Sequence, residues 1–146
     1  MKERMNYEAA APEAYKAMLR LHQYVQDCGL EHSLLELVKI RASQINGCAY
    51  CLALHMRDAR KAGEREIRLD LLPAWREAPC YTARERAALE WTEALTLIAE
   101  TAAPDDVYEQ ARREFSEAEL MKLTMAIVVI IGWNRIAIGF RSVPEV

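Results

Sequence analysis

Two cysteines three residues apart, Cys48 and Cys51, followed by His55, are the part of this chain best equipped for chemistry. Thiols at that spacing can close a disulfide within one chain segment. An imidazole one helical turn beyond Cys51 can accept or return a proton. The thiolate is the nucleophile rather than the thiol, so the surroundings decide whether the pair is reactive.

On a helical wheel, Cys48, Cys51, Leu52, His55, Ala59 and Ala62 share one stripe, with Arg57, Arg60 and Lys61 opposite. The thiols and the imidazole are therefore expected to face the interior or a cleft. Tyr50 and Leu54 are expected to point elsewhere, against another helix or another subunit. Asn46-Gly47 breaks the preceding helix and can supply a cap, which puts Cys48 in the first turn of the next one. Backbone N–H groups and the helix dipole there lower a thiol's pKa from its free value of about 8.5. Cys51 feels less of that field but has His55 one turn on. The dipole alone favours Cys48 as the more acidic thiol.

Two duller readings compete. A CxxC is half of many zinc sites, but no second CxxC or HxxxH exists here, and His55 with a distant residue such as Glu36 would have to complete the set. The cysteines could also be inert core residues. Glu36 itself is ambiguous. It lies opposite the Leu35, Val38 and Ala42 stripe, beside Lys39, and reads as a solvated carboxylate paired with that lysine. Leu37 and Ile40 flank it, however, and a carboxylate in an apolar setting can orient an imidazole or pass protons to it.

The elements that must hold these groups read as helices throughout. Pro12 suits a first turn, and Tyr15, Met18, Leu19, Leu21, His22 and Val25 follow at helical spacing until Cys28-Gly29. A second helix runs from about Glu31 to Ser43, and a third from Cys48 to Gly63. Thr82-Ala83-Arg84-Glu85 and Ser116-Glu117-Ala118-Glu119 are capping-box patterns, the second opening a long apolar helix from Leu120 to about Phe140. Pro104-Asp105-Asp106 opens a shorter one. The β-branched run Ile127 to Ile131 could be a strand, but the cap and the length favour helix. The irregular stretch from Leu71 to Pro79 reads as a simple join between two halves of a bundle. Cys28, Cys80, Trp91 and Trp133 read as structural, and His22 and His32 as helix-surface residues, with His32 the one that might border the site.

With 146 residues, 52% of them hydrophobic and only 5 Gly and 5 Pro, one all-α domain is expected, a bundle of about six to seven helices spanning residues 1–146. A net charge of −3 without a Lys/Arg cluster argues against nucleic-acid or anionic-membrane binding. The opening residues Met1 to Asn6 lack the apolar stretch of a signal peptide, so a cytoplasmic, reducing setting is expected. There a CxxC is more often catalytic or metal-binding than structural.

Glu36, Lys39, Arg41, Ser43, Asn46-Gly47-Cys48, Cys51 and His55, as spaced here, resemble the core of the AhpD-like alkylhydroperoxidases of the carboxymuconolactone decarboxylase superfamily. The likeness is close over residues 30–65, and Trp133-Asn134-Arg135 is similar to that family's C-terminal part. It implies an all-helical fold, assembly into trimers or hexamers, and thiol-dependent reduction of hydroperoxides with no metal, flavin or haem. It also implies that Cys51 is the peroxidatic thiol, against the dipole argument, with Cys48 resolving and His55 and Glu36 forming a proton relay. An external dithiol or protein reductant would regenerate the pair. Founding members carry a His before the second cysteine, where this chain has Tyr50, which cannot relay protons near neutral pH. The decarboxylase branch does not rely on a CxxC. A thiol–disulfide oxidoreductase or redox sensor with little peroxidase activity is the alternative reading.

Overall fold

Pro12, Thr82 and Ser116 each start a helix where their chemistry predicts. A computed structural model describes residues 1–146. A one-turn helix α1 (Tyr7–Ala10) leads into α2 (Pro12–Gln26), with Pro12 in its first turn. Next come α3 (His32–Asn46), α4 (Ala49–Lys61) and the short α5 (Glu66–Asp70), then a 3₁₀ turn at Leu72–Ala74. The second half holds α6 (Ala83–Thr96), one-turn α7 (Ile98–Thr101), α8 (Asp105–Glu114) and the 24-residue α9 (Glu117–Phe140). Six helices exceed two turns and three are single turns, and there is no strand. Both capping boxes are closed in both directions, Thr82 with Glu85 and Ser116 with Glu119. The β-branched run lies in the middle of α9, as the cap foretold.

The helix α3 is the axis of the molecule. Leu34, Leu35 and Val38 pack with Ala87, Ala88, Leu123 and Ile127 from α6 and α9, forming the larger core. Leu37 and Ile40, on another side of the same helix, pack with Leu69, Leu72, Trp75 and Leu89. Burial on several sides explains why Glu36 and Lys39 are not a solvated pair: no face of α3 is left to solvent in that region.

The stretch from Leu71 to Pro79 is more than a join. Leu72, Trp75 and Ala78 are buried in the second cluster, and Arg86 donates to the carbonyls of Arg76 and Ala78. Glu93 of α6 gathers three donors, Arg41 Nε (2.9 Å), Trp75 Nε1 (2.9 Å) and Arg76 Nη1 (2.7 Å), tying this segment to α3 and α6. Arg41, one of the residues quoted for the family likeness, therefore serves the scaffold.

By contrast, α2 buries only Val25, and it packs on α9 without joining the core fully. That loose seat leaves a cleft between α2, α4 and α9.

Candidate active site

The chain turns sharply between α3 and α4. Gly47 ends α3 in the left-handed conformation, φ +69°, which glycine adopts without the penalty of a side chain. Cys48 follows in an extended conformation as the N-cap of α4, its Sγ accepting the Cys51 N–H at 3.3 Å. Cys48 thus stands one position ahead of the first turn and is itself the cap, which corrects the expectation that Asn46-Gly47 would supply it. Asn46 donates instead to Asn134 Oδ1 (3.0 Å), and Asn134 donates to Ser43 Oγ (3.0 Å). Asn134 and Ser43 are both fully buried, so α9 pins the end of α3 through an amide–hydroxyl chain that excludes water.

Cys48 and Cys51 are joined as a disulfide, their Cα atoms 5.3 Å apart. Both are buried, packed with Ala42, Ile130 and Ala137. Cys28 and Cys80 are free thiols elsewhere, Cys28 in the main core.

Glu36 pairs with Lys39 as expected, but buried rather than solvated, and it also holds the imidazole. Its Oε1 accepts from Lys39 Nζ (3.1 Å) and its Oε2 lies 3.0 Å from His55 Nδ1. Lys39 is almost wholly buried and donates as well to Gln26 Oε1 (3.0 Å). Burial pushes the Glu36 carboxyl up, but the hydrogen bond with His55 and the charge of Lys39 outweigh it and hold the group below the usual carboxylate range. The carboxylate is therefore ionised at neutral pH and orients the imidazole through Nδ1. No group of three or more His, Cys, Asp or Glu side chains converges to hold a metal ion.

Cys51 and His55 lie on the wall of a cleft of about 180 Å³. The rest of it is mostly apolar and aromatic, with Tyr15 and His22 from α2, Tyr50 and Leu54 from α4, and Trp133 from α9. Tyr50 and Leu54, expected to pack away from the thiols, flank them here. The Trp133 ring stands edge-on to Tyr15 (5.9 Å) and His22 (6.5 Å). Burial, then the charges of Lys39 and His55, lower the His22 pKa, so this imidazole is neutral near pH 7. His32, the histidine singled out as bordering the site, is exposed and outside it. Sequence reasoning placed His22 on the surface and Trp133 in the core. Tyr15, Leu19 and His22 recur at one-turn intervals, an apolar stripe whose imidazole places His22 on the same face as the cleft.

The sequence model of the carboxymuconolactone decarboxylase family matches residues 12–94, more than half the chain and all of the dithiol region. The chain belongs to the carboxymuconolactone decarboxylase family. Within it, the chain resembles the AhpD-like branch. The uncharacterised protein YdfG of Bacillus subtilis (strain 168) is 41% identical over 142 residues, covering 97% of both chains. The crystal structure of ATU0492 from Agrobacterium tumefaciens is 52% identical, with a TM-score of 0.97 over 99% of each chain. That relative is of unknown function and carries only a provisional assignment to antioxidant defence as an AhpD. The debrominase Bmp8, at 18% identity and a TM-score of 0.85 over 94% of this chain and 74% of its own, shares the fold.

Proposed function

We propose that the protein is a thiol-dependent peroxidase that reduces organic hydroperoxides through a Cys48–Cys51 dithiol/disulfide cycle. One observation carries the reading: Cys51 opens onto an apolar cleft beside an imidazole anchored by a buried carboxylate. Cys48 does not line that cleft, which supports Cys51 as the attacking thiol and Cys48 as the resolving one.

The Cys51 thiolate attacks the terminal oxygen of the hydroperoxide. The O–O bond breaks, the alcohol leaves with a proton, and Cys51 is left as a sulfenic acid. The Cys48 thiol condenses with it, losing water and forming the disulfide. His55, held at Nδ1 by Glu36, takes the thiol proton and returns one to the leaving alkoxide. External thiols close the cycle by exchange, with no metal, flavin or haem needed. An apolar cavity of roughly 150 Å³ accepts benzene. At about 180 Å³, the cleft suits a hydroperoxide with one ring or a short branched chain. Met121, Val128 and Ile138 of α9 are exposed apolar side chains that a trimer or hexamer would cover. A reducing compartment such as the cytoplasm fits the two free thiols.

Reduced protein treated with one equivalent of cumene hydroperoxide should lose two thiols per chain and consume the peroxide completely. Slow thiol loss combined with rapid exchange against protein disulfides would instead establish a thiol–disulfide oxidoreductase, the reading that Tyr50 in the relay position favours.

A further inference from the structure

The two cysteines of the disulfide line different clefts. Cys51 lines the aromatic one. Cys48 lines a second, of about 320 Å³, bounded by Gly47, Arg4, Arg141 and Ser142, in which Cys51 takes no part. Tyr50 and Ala137 contribute to both and form the partition between them.

The second cleft differs from the first in charge. Two guanidiniums line it and no carboxylate does. Arg4 is partly spoken for, its Nη1 donating to the Gly139 carbonyl at the end of α9 (2.9 Å). Arg141 makes no ion pair or side-chain hydrogen bond, and its backbone is left-handed, φ +57°, in the cap of α9. Ser142 Oγ, on the same wall, is the one buried side-chain oxygen or nitrogen in the protein without a hydrogen-bond partner. A cavity with net positive charge, an uncommitted guanidinium, an unpartnered hydroxyl and one cysteine of the disulfide in its lining is built to receive an anion that reacts with sulfur.

We propose that this cleft is the reductant's site, and that it takes a small thiol bearing a carboxylate. The proposal rests on the redox-active dithiol of the proposed function. The reductant thiolate attacks Cys48 Sγ from the side away from Cys51. A bond forms between the two sulfurs, the Cys48–Cys51 bond breaks, and Cys51 leaves with the electron pair as a thiolate. A second reductant thiolate then attacks the reductant's own sulfur in the mixed disulfide. The products are the reductant disulfide and a Cys48 thiolate that takes a proton from water. Two electrons pass from two thiols to one disulfide. Peroxide and reductant thus use separate doors, and Cys51 is released directly into the cleft where its next substrate binds.

The test uses the oxidised full-length protein and no peroxide, so its outcome is independent of peroxidase activity. Reduction by 3-mercaptopropionate is compared with reduction by 2-mercaptoethanol at low ionic strength, each rate divided by the thiolate concentration. The carboxylate-bearing thiol should react faster by on the order of tenfold, and the advantage should shrink as salt is added. Arg141→Asn, a residue that tolerates the left-handed conformation, should bring the ratio close to one. Quenching with N-ethylmaleimide followed by peptide fragmentation should find the mercaptopropionate adduct on Cys48. A wild-type ratio of one or less, a ratio unchanged by Arg141→Asn, or an adduct on Cys51 would each overturn the proposal. The wild-type salt dependence carries the same decision if that variant does not fold.

Discussion

Glu36 Oε2 stands 3.0 Å from His55 Nδ1, and no protein group bonds the other ring nitrogen. The carboxylate therefore fixes the ring and leaves Nε2 unbonded, as the proposed proton relay requires. Glu36→Gln keeps the shape and removes the charge. Peroxide-driven disulfide formation should slow by roughly tenfold, and His55→Phe should cost on the order of a hundredfold. Stopped-flow peroxide consumption measures both. Equal rates in Glu36→Gln and wild type would remove Glu36 from the relay.

The same substitution leaves the Lys39 ammonium buried without its counter-charge. Urea denaturation at pH 7 should show a loss of about 3 kcal/mol. Adding Lys39→Met should restore much of it. Because the folded Glu36 pKa lies below its unfolded value of 4.5, its contribution is complete above about pH 4.5 and fades as pH falls through the folded value. The gap between wild type and Glu36→Gln should accordingly narrow in acid. A gap independent of pH would show that charge is not its source.

Exposure to the aromatic cleft assigns the two cysteines distinct fates. Cys51→Ser should abolish peroxide turnover, whereas Cys48→Ser should accumulate a sulfenic acid on Cys51 that dimedone labels. Dimedone on Cys48 in the Cys51→Ser protein, with turnover retained, would reverse the roles.

Trp133 and its ring neighbours set the size and polarity of the cleft. Trp133→Leu should raise KM for cumene hydroperoxide by about tenfold, the loss of part of one buried aromatic contact, and leave hydrogen peroxide little changed. The ratio of the two substrates is the readout, since it does not depend on the folded fraction. An unchanged ratio would mean that organic substrates bind elsewhere.

Asn134 has no contact with the sulfurs but holds the turn that carries them. Asn134→Leu strands the fully buried Ser43 hydroxyl and the Asn46 amide, at a cost of about 2–3 kcal/mol. A drop in thermal midpoint with an unchanged oxidised spectrum is expected. No change in midpoint would mean that water replaces the amide.

What the chain displays in one dimension is what its neighbours in sequence decide. Thr82 with Glu85, Ser116 with Glu119, and Pro12 are all local, and each took the place foreseen for it. The single turns α1, α5 and α7 are too short to show a period, and nothing in their composition separates them from loops. Contacts between distant segments were illegible for a different reason. Asn46 and Asn134 are 88 residues apart, so nothing near Asn46 reveals that its amide has a better partner than the next helix. His22 and Trp133 were read by spacing as surface and core because the cleft exists only once α2 settles loosely against α9. Cys48 was misplaced by one position because sulfur is an uncommon cap, and the wheel cannot distinguish a cap from a first turn.

That cap ties the backbone to the electron count. The Cys51 amide hydrogen points at Cys48 Sγ, a neutral disulfide sulfur in one oxidation state and a thiol or negatively charged thiolate in the other. The nitrogen-15 resonance of residue 51 is thus a built-in gauge of the pair's oxidation state, readable without touching either side chain.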